Sequence, residues 1–231
     1  MILRTIGNFL ILFTVFGFFA TFGPAVYYEI SYRIEQARGV RYVVAQEQPS
    51  ELARILEKYR NSGQQEQGPN VLGDILSKTT EKILVPPDIN FSVVIPKIGA
   101  AERIQENVDP SNESEYLDVL RHSIAHAKGT SFPGMGSTTY LFAHSADNFW
   151  NVGRYNAVFY LLKELNKDDD IFVFFQGKRY NYKVYDKQII DPSQTSVIAA
   201  NQGEGEKVIL QTCWPPGTSW KRLLVFAKPK D

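Results

Sequence analysis

The chain has 231 residues, 44% of them hydrophobic and 22% charged, which excludes a collagen-like, disordered or small disulfide-stapled protein and leaves length for one sizeable core plus appendages. Lys+Arg 25 balances Asp+Glu 25, so no basic field points to nucleic acid as a partner. The one cysteine, Cys213, allows no intrachain disulfide and is either a small buried hydrophobe or a reactive thiol.

The first element in chain order is an uncharged run from Ile6 to Tyr28. At about 1.5 Å per residue it reaches roughly 34 Å, against about 30 Å of bilayer hydrocarbon. Tyr27 and Tyr28 sit at its far end, where aromatics favour an interface. A cleavable signal peptide would have a shorter apolar run of about 7–15 residues and a small-x-small site. Gly23-Pro24-Ala25 fits that pattern poorly. The expectation is a short cytoplasmic tail over 1–5 and a single transmembrane anchor over 6–28. Arg4 favours a cytoplasmic N-terminus, while Arg33, Arg38 and Arg41 argue the other way. With so short a tail, the bulk of the chain is placed on the extracellular side of the cell membrane.

Residues 29–85 read as a stalk and N-terminal appendage. Ser50 can cap a helix whose apolar face is Leu52, Ile55, Leu56 and Tyr59. The segment 61–69 reads as a loop and 71–78 as one more short helix. Pro86-Pro87 marks the domain edge, and 86–231 forms the main domain.

From about residue 88 the pattern becomes β. Strands are expected at Asn90–Ile95, Thr138–Ala143, Ile171–Phe175, Lys178–Tyr185, Lys207–Thr212 and Lys221–Lys228. Gln176-Gly177 marks a hairpin, and Tyr180, Tyr182 and Val184 alternate with polar neighbours as a half-buried strand does. Between strands, Val158, Leu161, Leu162 and Leu165 recur at helical spacing, with Asn156 as a cap. Many strands with one helix suggest an antiparallel barrel or sandwich.

Cys213 closes the strand Val208–Thr212 and precedes Trp214-Pro215-Pro216-Gly217, where prolines cannot donate to a ladder. Pairing is therefore expected to stop at the thiol. Alternation puts Cys213 with Ile209 and Gln211. A nucleophilic thiol needs a base or a cation nearby. His144 also follows a strand, Thr139–Ala143, whereas His122 and His126 fall in an expected loop. Arg222 opens the last strand and can reach the thiol if the strands flanking Trp214–Trp220 pair. A core cysteine and an ordinary barrel-edge arginine are the alternatives to this catalytic set.

Together these residues resemble the sortase family of cysteine transpeptidases. Ile209-Leu210-Gln211-Thr212-Cys213 is similar to the family motif Thr-Leu-x-Thr-Cys, departing at its first position. Tyr140-Leu141-Phe142-Ala143-His144 is similar to its histidine strand, with Ala143 where Gly is frequent. Lys221-Arg222-Leu223-Leu224-Val225 is similar to its arginine strand. Ile95-Pro96-Lys97-Ile98-Gly99 and the segment from His126 to Gly134 look like further family signatures, so that the resemblance covers roughly 88–229.

The resemblance implies a mainly β fold, a closed barrel of about eight strands with one or two short helices. It implies a thiol enzyme that cuts a sorting signal of Leu-Pro-x-Thr-Gly type in secreted proteins. Cys213 would be the nucleophile, His144 the acid and base, and Arg222 the oxyanion or substrate-backbone donor; His126 takes a framework position. Thr212, Trp214 and Ala143 are expected to line the substrate or oxyanion site. The acceptor would be an amine of a peptidoglycan precursor or a pilin lysine. No cofactor is expected; the acidic stretch with Asp109, Glu113 and Glu115 reads as a solvated loop, though it raises a calcium question. A thiol endopeptidase releasing its acyl group to water, and a non-catalytic peptide-binding surface domain, are the alternative functions.

Overall fold

The computed structural model describes residues 2–44, 81–145, 157–194, 203, 205–216 and 218–230, without the side chains of 2, 3, 18–25, 28, 157 and 158. The expected helices within 50–78 and the Asn156 cap lie outside the described residues.

Helix α1 runs Ile2–Ala37 and is followed by β1 (Arg41–Val44), which pairs in parallel with β2 (Glu81–Leu84). The helix continues past the expected end of the anchor, and its last turns pack on the domain that follows. Tyr32 is buried, and Glu29 bonds Lys163 at 2.7 Å and Arg33 at 2.8 Å. These cations hold the Glu29 carboxyl below its ordinary range, with the Lys163 bond as the largest cause. Glu35 accepts from Tyr42 at 2.7 Å and Lys82 at 3.0 Å. Gly99 sits at φ 64°, and a Cβ there would meet the Tyr42 ring at 2.7 Å, so the close approach of β1 requires glycine. Among the described residues, no helix is long and apolar enough to cross a membrane.

The domain is a closed barrel of eight strands, in the order β10-β8-β7-β3-β4-β5-β6-β9. These are β3 (Phe91–Ile95), β4 (Ala100–Val108), β5 (Ile124–Ala127), β6 (Thr138–Phe142), β7 (Asp170–Phe175), β8 (Lys178–Ile190), β9 (Lys207–Trp214) and β10 (Lys221–Pro229). Closure leaves no strand edge open, which suits strands as apolar as Phe-Ser-Val-Val-Ile and Ile-Phe-Val-Phe-Phe. Phe159, Leu162, Leu165, Ile171, Tyr182, Ile209 and Phe226 fill the core.

The structure corrects several expectations. The sheet is not wholly antiparallel: β4–β5 and β6–β9 pair in parallel. Parallel neighbours need crossovers. One carries helix α2 (Glu113–Leu120), where only a loop was expected; Asn112 caps it by accepting from the Glu115 amide. The other carries the segment Ala157–Glu164, which is a 3₁₀ helix and lies against β9 and β10. Strands β4 and β5 were not anticipated. In β4 the register shifts between Gln105 and Val108, with Asn107 at φ 56°, so the alternation that marks a strand is broken. His126 lies in β5, not in a loop. Strand β8 extends to Ile190, and β9 extends beyond the thiol to Trp214.

Candidate active site

One rim of the barrel collects the C-terminal ends of β6 and β9 and the start of β10. In the antiparallel pair, Cys213 lies directly opposite Arg222, so the two side chains project from the same face. Pairing continues one residue past the thiol, Trp214 with Lys221, because the prolines begin only at 215. In the parallel pair, Tyr140 aligns with Ile209 and Phe142 with Gln211. Past the last ladder pair, the Ala143 amide donates to the Gln211 carbonyl at 3.1 Å. Thr212 Oγ1 donates to the Ala143 carbonyl at 3.2 Å. His144 lies two residues beyond Phe142, as Cys213 lies two residues beyond its partner Gln211.

The thiol is half-buried, as are His144 and Arg222. Arg222 Nη1 donates to the carbonyls of Ser219 and Lys221, both at 3.1 Å, which fixes the guanidinium at the base of the β9–β10 loop. The structure pairs the expected thiol and guanidinium directly across β9 and β10, and places the expected imidazole two residues past the end of the β6–β9 ladder.

The secondary residues are placed differently. Thr212 is buried, and its hydroxyl is committed to Ala143, so it ties the histidine strand to the cysteine strand instead of facing a ligand. Ala143 is buried and supplies both halves of that tie. Trp214 is half-buried and packs on the core beside the thiol. The acidic stretch is locally engaged. Asp109 accepts from the Ser111 amide at 2.9 Å and hydroxyl at 2.6 Å, and these bonds hold its carboxyl below the usual range. Glu115 accepts from the Asp109 amide and Asn112, and Glu113 lies in the first turn of α2. Among the described residues, no group of three or more His, Cys, Asp and Glu gathers as a metal site.

Sequence reasoning missed a polar pair on the thiol's own face. Tyr140 is buried, and its hydroxyl donates to Gln211 Oε1. Burial pushes the Tyr140 phenol up, against the opposing charge of Arg222. The signal was Gln211 itself, an amide in step with Cys213 and Ile209.

The other histidine on this sheet is of a different kind. His126 is fully buried; Nδ1 accepts from the Asn107 amide at 3.3 Å, and Nε2 lies 3.0 Å from Thr130 Oγ1 and 3.2 Å from the Ser131 carbonyl. Phe91 and Phe132 pack on its ring. His122 is exposed in the turn after α2.

The closed barrel thus carries a thiol and a guanidinium as a cross-strand pair, with a histidine just past the end of the adjoining strand. Residues 93–230 match the sortase domain, and the chain belongs to the sortase family, a family of cysteine transpeptidases. It is 28% identical to sortase D of Bacillus subtilis over 137 residues, 58% of this chain and 60% of that relative. The match thus spans less than two thirds of the curated relative's length. Among solved structures, sortase A of Corynebacterium diphtheriae (a lid mutant) aligns with TM-score 0.51 and 22% identity, over 79% of this chain and 94% of that one. Sortase E1 of Streptomyces coelicolor aligns with TM-score 0.50 and 23% identity, over 62% of this chain and 88% of that one.

Proposed function

We propose that this chain is a membrane-anchored transpeptidase that cuts a Leu-Pro-x-Thr-Gly-type sorting signal and passes the new acyl end to an amine. The observation that carries the reading is the direct pairing of Arg222 with Cys213, on a rim where Ala143, the residue before His144, is tied to β9. The Cys213 thiolate adds to the threonine carbonyl, forming the S–C bond and placing the electron pair on oxygen. Protonated His144 gives its proton to the departing glycine amine as the C–N bond breaks, leaving a thioester. The guanidinium of Arg222 donates to the oxyanion or to the substrate backbone. An incoming amine then adds to the thioester, His144 takes its proton, and the C–S bond breaks to restore the thiolate. The reaction uses these side chains and no cofactor.

The proposed donors are secreted proteins with a C-terminal sorting signal. The proposed acceptor is a peptidoglycan-precursor amine or a pilin lysine. Residues 6–28 are proposed as the single membrane anchor, with the barrel on the extracellular side. That placement rests on the absence of charge in this run. It is also supported by its unbroken helical backbone and by the outward Ile6, Phe9, Leu10, Ile11, Leu12 and Phe13.

The test is mass spectrometry of the protein with a sorting-peptide library and several amines. The expected result is an acyl-enzyme and amine-dependent product, both lost in Cys213→Ala. An adduct that survives this substitution overturns the nucleophile. Free acid alone, with or without amine, identifies hydrolysis instead of transfer.

A further inference from the structure

Gln211 is an amide in the strand that carries the thiol. It shares a face with Cys213, two residues back along β9, a distance of roughly 7 Å at strand spacing. The same face carries Phe142 and Tyr140 from β6 and Arg222 and Leu224 from β10. The Gln211 amide is held in one sense, because Oε1 accepts the Tyr140 hydroxyl. Its other end, Nε2, has no hydrogen-bond partner among the described residues and is not among their buried, unsatisfied atoms. This half-buried amide thus keeps its N–H donors available on the face that carries the thiol.

An extended peptide also advances about 3.3 Å per residue. With the acylated residue at Cys213, a peptide lying along β9 puts a main-chain carbonyl over Gln211 about two residues upstream. We propose that Gln211 Nε2 donates to that carbonyl, making Gln211 a substrate-binding residue and Tyr140 the positioning residue that keeps the amide from turning over. This inference rests on the reaction proposed above. It adds to that reaction a polar anchor point on the upstream side of the cut.

The experiment follows acylation of the full-length chain by a Leu-Pro-Ala-Thr-Gly peptide and by the same peptide with a thioamide at the carbonyl two residues before the acylated threonine. Sulfur is the weaker acceptor. Iodoacetamide alkylation of Cys213 is measured in parallel. For Gln211→Met the expected result is a KM raised about five- to tenfold, with kcat and alkylation rate within about twofold. The thioamide peptide should lose affinity with the unaltered protein and lose nothing further with Gln211→Met. Tyr140→Phe should raise KM by about two- to threefold, and the double variant should be no worse than Gln211→Met alone. An unchanged KM in Gln211→Met, or continued discrimination between the two peptides, overturns the inference. So does a Gln211→Met variant that loses kcat and alkylation rate together, since the amide would then act on the thiol and not on the peptide. Absence of any acyl-enzyme in the unaltered protein instead overturns the reaction assignment, and this inference with it.

Discussion

Two histidines on neighbouring strands, His126 in β5 and His144 just after β6, show how one sheet makes two kinds of imidazole. His126 is sealed, with Phe91 and Phe132 on its ring and both nitrogens engaged by Asn107, Thr130 and Ser131. Burial pulls its pKa below 6.5, while the Ser131 bond and the charge of Glu106 push the other way. That ring is a structural part, packed and hydrogen-bonded into the fold. His144 lies half-buried two residues past the end of the β6–β9 ladder. The difference is position along the strand. A histidine inside the pairing is held by the ladder on both sides, whereas one past its end is not.

The contrast can be broken first at His144. His144→Ala should lower kcat/KM for acyl-enzyme formation by about 10³-fold while leaving thermal unfolding close to the original. Stopped reactions read by mass spectrometry, with calorimetry alongside, check both halves. His126→Asn should do the reverse, destabilising the fold by about 2–4 kcal/mol through lost packing and unmade hydrogen bonds, with the folded fraction still acylating.

The same contrast has a pH signature. The folded pKa of His126 is lowered, so the unfolded chain binds the proton more readily. The stability it confers is complete above about pH 6.5 and declines as pH falls below that value. Denaturation between pH 8 and 5 should show this slope in the unaltered protein and a shallower one in His126→Asn. The smallest expected effect is at the strand tie. Thr212→Val leaves the Ala143 carbonyl without its side-chain donor and should cost about 1–2 kcal/mol, with a modest loss of acylation as His144 loses its fixed approach.

Much of this was legible in the amino-acid order. The strands rich in Val, Ile and Phe are where alternation and apolar runs put them, and the strands flanking Trp214–Trp220 pair as expected, which sets Arg222 opposite Cys213. What stayed hidden has physical causes. A bulge and five charged or amide residues mask β4. Only four residues, with a histidine among them, make β5. The parallel pairings depend on long crossovers that leave no local trace, and it is one of these, β6 beside β9, that unites the site. The acidic segment read as a loop holds helix α2, because Asn112 caps it and the carboxylates of its first turn suit a helix N-terminus. Thr212 looked available for an oxyanion, yet its alternation opposite Cys213 sends the hydroxyl to Ala143.

The most direct measurement is the pH profile of Cys213 alkylation by iodoacetamide in the unaltered protein, His144→Ala and His126→Asn. A thiol paired with the rim imidazole should change its profile when His144 is removed and keep it when His126 is replaced. An unchanged profile in His144→Ala, or an altered one in a folded His126→Asn protein, would contradict the division between the two histidines.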